Sequence, residues 1–232
     1  MVPIFSRNFT YCRKNYCSNL GLLKSNTFKK APAVSFYMDD MGTIHYDVTI
    51  PKARIAVLIG AEGSVKRQIE ELTQTTIVID SQEGEVEIEG TDVIVSFAVR
   101  DIIKAIGRGF NPDIALYLLK PDYAFELIDL TEYLTSKNAL ERVKGRIIGT
   151  RGKTRNTIEK SLEVHISVYG KTIGVIGEIE RVSAARQAIE MILDGSPHAN
   201  VYKWVEKKRS SLIKADLSGN KIEIKDKFKD YV

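Results

Sequence analysis

The sequence is poor in the residues that metal sites, disulfide-stapled folds and membrane spans require. Two cysteines, Cys12 and Cys17, stand in the N-terminal part, and three histidines, His45, His165 and His198, are scattered elsewhere. A structural zinc ion takes four ligands, and one C-x4-C pair supplies half of them at most. We therefore predict no metal and no cofactor, and interpret the cysteines as free thiols of a reducing compartment. No apolar run approaches the roughly 20 residues of a transmembrane helix, so we expect no membrane contact and a cytoplasmic location.

The chain also lacks a strong excess of either charge. It has 34 basic and 30 acidic residues, but residues 1–38 carry six of the bases and no acid, so the remaining 28 bases face 30 acids. An anion-binding surface on the folded part must therefore come from local clustering. Residues 142–155 hold six bases and no acid, and residues 203–214 hold five bases against Glu206. The second cluster is equally well explained as a solvated helix face, whereas the bases of the first cluster surround glycines.

Two short loops contain a pair of glycines three residues apart, Gly60 with Gly63 and Gly149 with Gly152. Glycine lets the backbone turn tightly and approach a ligand closely. The free amides at the start of the helix that follows such a loop favour an anion. A chain that contains this loop twice is predicted to grip a phosphate backbone.

The surroundings of the loops repeat with them. Matching residues lie 89 positions apart as far as Ile79 and Val168, and 87 apart after a hairpin that is two residues shorter in the second copy. The hydrophobic pattern predicts the order β-α-α-β-β-α twice. This order predicts an α+β fold. The predicted organisation is a basic N-terminal tail without regular structure (1–40), a first domain (42–108), a helical linker (109–121), a second domain (122–196), a basic C-terminal helix (197–214) and a tail (215–232).

Two further assignments concern side-chain directions. The long helix that Asp92 caps is predicted to turn four residues to the core, namely Phe97, Ala98, Ile102 and Ile106. Glu70 and Glu159 occupy matched positions in the two copies, and we interpret both as solvent-facing helix residues.

The order β-α-α-β-β-α, with Gly-x-x-Gly between its first two helices, resembles the type I KH domain. In KH domains this loop clamps the backbone of about four nucleotides of a single strand. Nearby aliphatic side chains either wall a groove for bases or fill the core, and the core is the commoner role for each: Ile147, Ile148, Ile158, Ile166 and Val168. The RNA-binding residues that this resemblance implies are Gly149, Thr150, Arg151, Gly152, Lys153, Thr154, Arg155, Arg146, Ile148 and Ile158.

The first loop is less suited to RNA, because Glu62 places an acid inside the clamp. Its implied contacts, weaker than those of the second loop, are Gly60, Ala61, Glu62, Gly63, Ser64, Lys66 and Arg67. Weak RNA binding and a protein-binding role fit the first domain equally well.

One short run of residues also suggests an enzyme. Gly152-Lys153-Thr154 ends like a phosphate-binding P-loop, but the opening glycine of that motif would fall at position 147, which is Ile147. No nucleophile, base and orienting group come together in the pattern. We therefore predict a protein that is not an enzyme.

The second copy matches one family more closely. Its Gly145-Arg146-Ile147-Ile148-Gly149 run, its Gly152-Lys153-Thr154-Arg155 run and the linker Ile106-Gly107-Arg108-Gly109-Phe110 resemble the "partner of Nob one" family. The resemblance covers about residues 44–214, and the two intact glycines of the first loop favour its archaeal type.

The resemblance implies a non-catalytic factor in assembly of the small ribosomal subunit. Its expected partners are single-stranded RNA at the 3′ end of the small-subunit rRNA, a maturation endonuclease and the alpha subunit of initiation factor two. A general KH-type RNA-binding regulator and a protein-interaction scaffold in an RNA-processing complex remain the alternatives.

Overall fold

The computed structural model describes residues 36–38, 43–134 and 136–217. Most of the predicted tails 1–40 and 215–232, namely residues 1–35 and 218–232, lies outside the described residues, and Cys12 and Cys17 lie there too. In chain order the elements are β1 (Phe36–Met38), β2 (Ile44–Thr49), α1 (Lys52–Ile59), α2 (Ser64–Thr73), β3 (Thr76–Asp80), β4 (Glu85–Gly90), α3 (Val93–Gly107), α4 (Pro112–Ala115), a 3₁₀ turn (Leu116–Leu119), β5 (Tyr123–Asp129), α5 (Lys137–Ile148), α6 (Lys153–Leu162), β6 (His165–Tyr169), β7 (Thr172–Glu178), α7 (Ile179–Leu193) and α8 (His198–Leu217).

The predicted β-α-α-β-β-α order occurs twice, and each copy forms an antiparallel sheet with helices packed on one face. The strand order is β1-β2-β4-β3 in the first sheet and β5-β7-β6 in the second. Each sheet is held in register by a central pairing of its first and last domain strands, with Tyr46 opposite Ile88 and Ile128 opposite Ile173. Alternate residues of β2 are buried, as the period of two predicts for a sheet with one packed face.

One strand was missed. Residues Phe36–Met38 fall in the segment predicted as a tail, yet they pair with β2, with Phe36 opposite Tyr46. The first sheet therefore has a fourth strand beyond the three of the predicted domain. Three residues are too few to show an alternating pattern, and the Asn-, Ser- and Lys-rich segment before them gave no strand signal.

The long helix α3 begins where predicted, because Oδ1 of Asp92 accepts hydrogen bonds from the amides of Ile94 (2.8 Å) and Val95 (3.3 Å). Its predicted inner face is partly wrong. Phe97 is 47% exposed and Ala98 is half-buried. The residues that α3 buries are Ser96, Val99, Ile102, Ile103, Ala105, Ile106 and Gly107. This helix is apolar on most of its circumference, so periodicity alone does not select one face.

The linker covers the outer face of the second sheet. Phe110 is buried, meets Phe125 edge-on at 6.0 Å between ring centroids, and lies so close to Gly174 that a Cβ there would stand 2.5 Å from its ring. Phe110 and Ile176 belong to the same hydrophobic cluster as the core of the first domain. Arg54 of α1 fixes the linker, donating to the carbonyls of Ile106 (2.8 Å) and Phe110 (2.7 Å). The two copies therefore share packed apolar surface through the linker.

Candidate nucleic-acid interface

The two glycine-pair loops have the same backbone. In the first loop, φ and ψ are 74° and −179° at Gly60, and they are 52° and 26° at Glu62. In the second, they are 72° and 173° at Gly149, 54° and 32° at Arg151. The closing glycines are left-handed too, and a right-handed helix starts directly after each of them. A left-handed conformation at Glu62 and at Arg151 is uncommon for residues with a side chain, and such strain is frequent at binding sites.

The two glycines of the second loop serve different purposes. A Cβ at Gly149 would lie 2.3 Å from Oγ1 and 2.8 Å from the amide nitrogen of Thr154, so this position is closed by the protein itself. A Cβ at Gly152 would meet nothing nearer than the Asn156 side chain at 3.8 Å. A side chain at Gly149 is therefore excluded by the protein alone, whether or not a ligand is bound. At Gly152 the open space leaves room for a close approach.

The second loop presents a basic surface. Thr150, Arg151 and Lys153 are exposed, and Ile148 beside them is 37% exposed. Arg155, one turn into α6, is partly exposed and pairs with Glu159 at 3.3 Å. The amides of the loop and of the first turn of α6 lie at the same helix N-terminus, where the helix dipole favours an anion.

Three residues predicted to contact RNA make contacts within the protein, behind the loop. Ile158 is fully buried, and Thr154 is 3% exposed with its hydroxyl bonded to that of Tyr202 at 2.9 Å. Arg146 turns its guanidinium to the end of α7, donating to the carbonyls of Ile192 (2.9 Å) and Ser196 (2.6 Å). Arg146 thus ties α5 to the end of α7 and to the segment after it, and its contact with RNA stays a prediction. Thr154 and Ile158 are too deeply buried to belong to a contact surface.

A cleft of about 290 Å³ opens beside α6. Its lining comes from α6, β6 and the linker, and consists of Gly109, Phe110, Asn111, Ile114, Arg155, Glu159, His165, Ile166 and Ser167. Most of the five aliphatic side chains that could wall a groove or fill the core are in the core, the role expected more often: Ile147, Ile158 and Ile166 are buried, whereas Ile148 and Val168 are accessible. The loop is therefore open to solvent at Thr150 and Arg151, and the cleft begins at Arg155, three residues beyond Gly152.

Our interpretation of Glu70 and Glu159 as solvent-facing residues is wrong. Oε1 of Glu159 accepts a hydrogen bond from the amide of Ile166 at 2.8 Å, and Oε1 of Glu70 accepts one from the amide of Ile77 at 2.8 Å. Each carboxylate thus ties the second helix of its domain to the edge strand that follows. The identical spacing of seven residues in both copies was the available signal.

The first loop is electrostatically different. Ala61, Glu62 and Ser64 are exposed, so an acid stands where the second loop has Arg151. Arg67 bends back to donate to the carbonyls of Glu62 (2.7 Å) and Gly63 (3.4 Å). Lys66 lies 3.7 Å from Glu70. The cations of this loop are therefore partly engaged within the protein.

Helix α8 carries the second basic cluster. It joins the core of the second domain through Val201, Val205 and Leu212. Lys203, Lys207, Arg209 and Lys214 are exposed. The start of α8 lies next to the loop, because His198 Nε2 donates to the carbonyl of Arg146 at 2.9 Å.

One side-chain cluster was not expected from the sequence. Nδ1 of His45 lies 3.6 Å from a carboxylate oxygen of Glu87 and 3.6 Å from one of Glu89, on adjacent strands of the first sheet. The cluster offers three ligand groups where a structural metal site takes four, and both carboxylates are partly exposed, so we assign no metal to it. Among the described residues, none of the helices combines the length and apolar character of a membrane span.

Comparison with known proteins agrees with this geometry. The model of a KH domain of eukaryotic type (KH-domain type I) matches residues 124–210, and a general KH-domain model matches residues 45–104. A KH domain-containing protein of Methanocaldococcus jannaschii is 45% identical over 170 residues, which cover 72% of this chain and 74% of that protein.

Two further similar proteins have names that refer to ribosomal RNA. The pre-rRNA-processing protein pno1 of Emericella nidulans is 32% identical over 106 residues, 44% of this chain and 41% of that protein. A chain of the a/eIF2alpha-aDim2p-rRNA complex from Pyrococcus horikoshii superposes with a TM-score of 0.70 at 44% identity, covering 74% of this chain and 97% of that one. Since the two KH-domain matches and these likenesses agree, the chain belongs to the PNO1 family of KH-domain proteins and is a member of its archaeal type.

Proposed function

We propose that this protein binds single-stranded RNA through the loop Gly149–Gly152 and acts, without catalysis, in the processing of small-subunit rRNA near its 3′ end. The observation that carries the proposal is the exposed pair Thr150 and Arg151, held on a strained turn beside an open cleft. A helix N-terminus, three nearby cations and the absence of a Cβ at Gly152 together favour a sugar-phosphate chain at this place.

The side chains of the cleft support binding rather than chemistry. Its titratable groups are Arg155, Glu159 and His165, and the carboxylate of Glu159 is already bonded to the amide of Ile166. The ring of His165 stacks on Tyr117 with the centroids 6.0 Å apart. A general base must reach the proton that it removes, and these contacts hold both groups in structural roles.

The partners that fit this role are the 3′ end of the small-subunit rRNA, the alpha subunit of initiation factor two and a maturation endonuclease, met in the cytoplasm. The first two are supported by the Pyrococcus horikoshii complex, which contains an rRNA and a/eIF2alpha. The endonuclease rests on the family resemblance of the sequence.

The test of the RNA site replaces Thr150 and Arg151 together by Asp. Asp tolerates the left-handed conformation of Arg151, so the variant is expected to fold. Two new charges facing phosphate should weaken binding of an RNA oligonucleotide at least tenfold, or about 1.4 kcal/mol. The matched control is Ala61→Asp in the first loop, where we expect a smaller loss. Unchanged affinity in the folded double variant would reject this loop as the main site.

The cellular role is tested by crosslinking the full chain to RNA in its host and sequencing the fragments. Reads concentrated at the 3′ end of the small-subunit rRNA are expected. Reads spread over many transcripts would favour the general regulator. An RNA affinity that does not fall with rising salt would favour the scaffold, because Lys and Arg contacts to phosphate release counterions.

A further inference from the structure

Helix α8 presents one row of lysines to solvent along most of its length. Lys203, Lys207 and Lys214 are exposed and stand at positions i, i+4 and i+11 of the helix, so they lie on one face. With a rise of about 1.5 Å per residue, the row is about 16 Å long. Ser210 and Ser211, between the second and the third lysine, are exposed too. We call the three lysines the lysine stripe.

The charge of the lysine stripe is not neutralised by an ion pair within the part of the chain that the structure describes. Glu206, the one acid between these lysines in the sequence, pairs with Arg209 at 3.4 Å. The two helices packed against α8 add few acids to the surface around it. Helix α6 exposes Lys153, Asn156 and Lys160, and beyond its first two residues α7 exposes Ser183 and Gln187.

Several other cations of the second domain have partners of their own. A carboxylate lies within 3.3 Å of Arg155, Arg181 and Arg186. These arginines tie elements of the domain together, whereas the lysine stripe makes no such contact. Its positive charge is therefore available to an external anion.

Helix α8 is fixed to the second domain at both ends, and it begins beside the second loop. His198 Nε2 donates to the carbonyl of Arg146 at 2.9 Å, three residues before Gly149. Near the other end of α8, Arg181 donates to Asp216 at 3.1 Å. Between these contacts the helix buries Val201, Val205 and Leu212 in the core. The lysine stripe is therefore held in place, and it leads away from the loop.

Two kinds of polyanion fit a row of free lysines, namely an RNA backbone and an acidic protein surface. The position of the stripe favours RNA, because α8 starts next to the loop, where Arg151 and Lys153 are exposed as well. A loop of this type clamps about four nucleotides, so a longer strand has to continue over the neighbouring surface. Lysine, a point charge on a flexible stem, suits phosphate groups that pass there.

We propose, on the basis of the RNA-binding function above, that the lysine stripe of α8 is a second RNA-binding surface. It holds the phosphates of nucleotides that flank those in the loop on the same strand, and so lengthens the bound stretch of RNA. The contact is independent of base sequence, because phosphate contacts position a strand and do not read its bases. Its effects are on affinity, on salt dependence and on the length of RNA that is bound.

The experiment compares the full wild-type chain by fluorescence anisotropy with a stripe variant that combines Lys203→Gln, Lys207→Gln and Lys214→Gln. Glutamine has a helix propensity close to that of lysine, so α8 is expected to remain folded, and circular dichroism checks this. The probes are single-stranded RNAs of random sequence, about five and about twelve nucleotides long, that is, near and well beyond the length that one loop clamps.

The matched control removes the same charge from three other exposed lysines by combining Lys52→Gln, Lys137→Gln and Lys171→Gln. Lys52 and Lys137 are the first residues of α1 and α5, at the ends of these helices that are remote from the glycine-pair loops. Lys171 lies in the turn between β6 and β7. A loss of affinity that comes from net charge alone appears equally in this control.

We expect the stripe variant to bind the longer RNA about tenfold more weakly than the wild type, and the shorter RNA less than about twofold more weakly. For the longer RNA, the slope of log affinity against log salt should become shallower by about 2, because each phosphate contact of a single strand accounts for about 0.7. The control should lose less than about twofold on both probes.

A folded stripe variant that binds the longer RNA as tightly as the control does would overturn the proposal, and a protein partner would then be the better account of the lysines. An equal loss on both lengths would overturn it as well, because the stripe would not be contacting flanking nucleotides. A wild-type chain that bound neither RNA would instead defeat the proposed function.

Discussion

The hydroxyl of Tyr202 lies 2.9 Å from the hydroxyl of Thr154, and this contact joins α8 to the first turn of α6. Oγ1 of Thr154 is also the atom that a Cβ on Gly149 would approach to 2.3 Å. The C-terminal helix therefore supports the second loop from behind. His198 strengthens the support, because its ring donates to the carbonyl of Arg146 at 2.9 Å.

Tyr202→Phe should lower the free energy of unfolding by about 1 kcal/mol, because it leaves the buried hydroxyl of Thr154 without this partner. Urea unfolding followed by circular dichroism measures the change. Tyr133→Phe is the control, since Tyr133 is 44% exposed, and it should stay within about 0.5 kcal/mol of the wild type. Equal stability of Tyr202→Phe and the wild type would mean that the contact adds nothing to the fold.

The two glycines of each loop should differ in their tolerance of alanine. Gly149→Ala brings a Cβ within 2.8 Å of a backbone nitrogen in addition to its φ of +72°, so we expect a loss of more than about 2 kcal/mol. Gly152→Ala has open space and should lose about 1–2 kcal/mol for its left-handed backbone alone. Gly60 and Gly63 provide an internal repeat of the comparison, with a Cβ contact of 2.6 Å at Gly60 and 3.9 Å at Gly63. A larger loss at the second glycine of either loop would contradict the packing argument.

Much of the fold could be predicted from the sequence, because the two copies can be aligned with each other and each supports the assignment of the other. The 89-residue spacing aligned both loops, the helices around them and the first strand of each hairpin, and a spacing of 87 aligned the second strand. Local caps such as Asp92 also marked helix starts correctly. What could not be predicted involves contacts between distant residues: the partner of Thr154 lies 48 residues away on α8, and the carbonyls that hold Arg146 lie 46 and 50 residues away.

The predictions of side-chain direction on α3 and at the two glutamates were wrong for a different reason. Helix α3 is apolar almost all round, so the exposed position of Phe97 depends on how the helix rotates against the sheet. Its ring is covered by the guanidinium of Arg100, 3.6 Å from the centroid, which compensates for the missing core contacts. A glutamate in a helix is usually exposed, so the sequence predicted solvent for Glu70 and Glu159. Only the tertiary fold brings the amide of an edge strand to each of them.

A charge exchange between the loops should decide whether the first domain contacts RNA. Glu62 and Arg151 hold equivalent positions with φ of 52° and 54°, so the backbone that accepts one side chain accepts the other. Glu62→Arg should raise the RNA affinity of the full chain about threefold or more and steepen its salt dependence, because a phosphate repeller becomes a phosphate ligand. Anisotropy titrations at several salt concentrations measure both effects.

The control for this exchange is Glu83→Arg, which changes the net charge equally on the exposed turn between β3 and β4. If Glu62→Arg gains no more affinity than Glu83→Arg, RNA does not touch the first loop. A protein-binding role for the first domain would then be the better account.

Alkaline stability should depend on Tyr123, at the start of β5. Burial, followed by the nearby charge of Glu178, raises the pKa of the Tyr123 hydroxyl above its ordinary value of 10.0. The folded state thus keeps a proton that the unfolded state releases. The stability from this group is fully present below pH 10.0 and is lost as the pH rises through the higher pKa of the folded state.

Tyr123→Phe removes this titration. Unfolding free energies of the two proteins, measured by urea at pH values from 8 to 11, should differ by a constant amount up to about pH 9. Above that range the wild type should lose stability relative to Tyr123→Phe. Parallel curves over the whole range would show that the hydroxyl titrates alike in both states.

Phe110 sits within the apolar cluster of the first copy while its ring presses on Gly174 of the second. Two halves that divide one hydrophobic interior in this way should melt in a single cooperative transition. Either half produced alone would expose an unpaired apolar surface and tend to aggregate. A nucleic acid engaging both turns at once would have to match a spacing dictated by the polypeptide, whereas independent modules on a loose tether would accept targets at many separations.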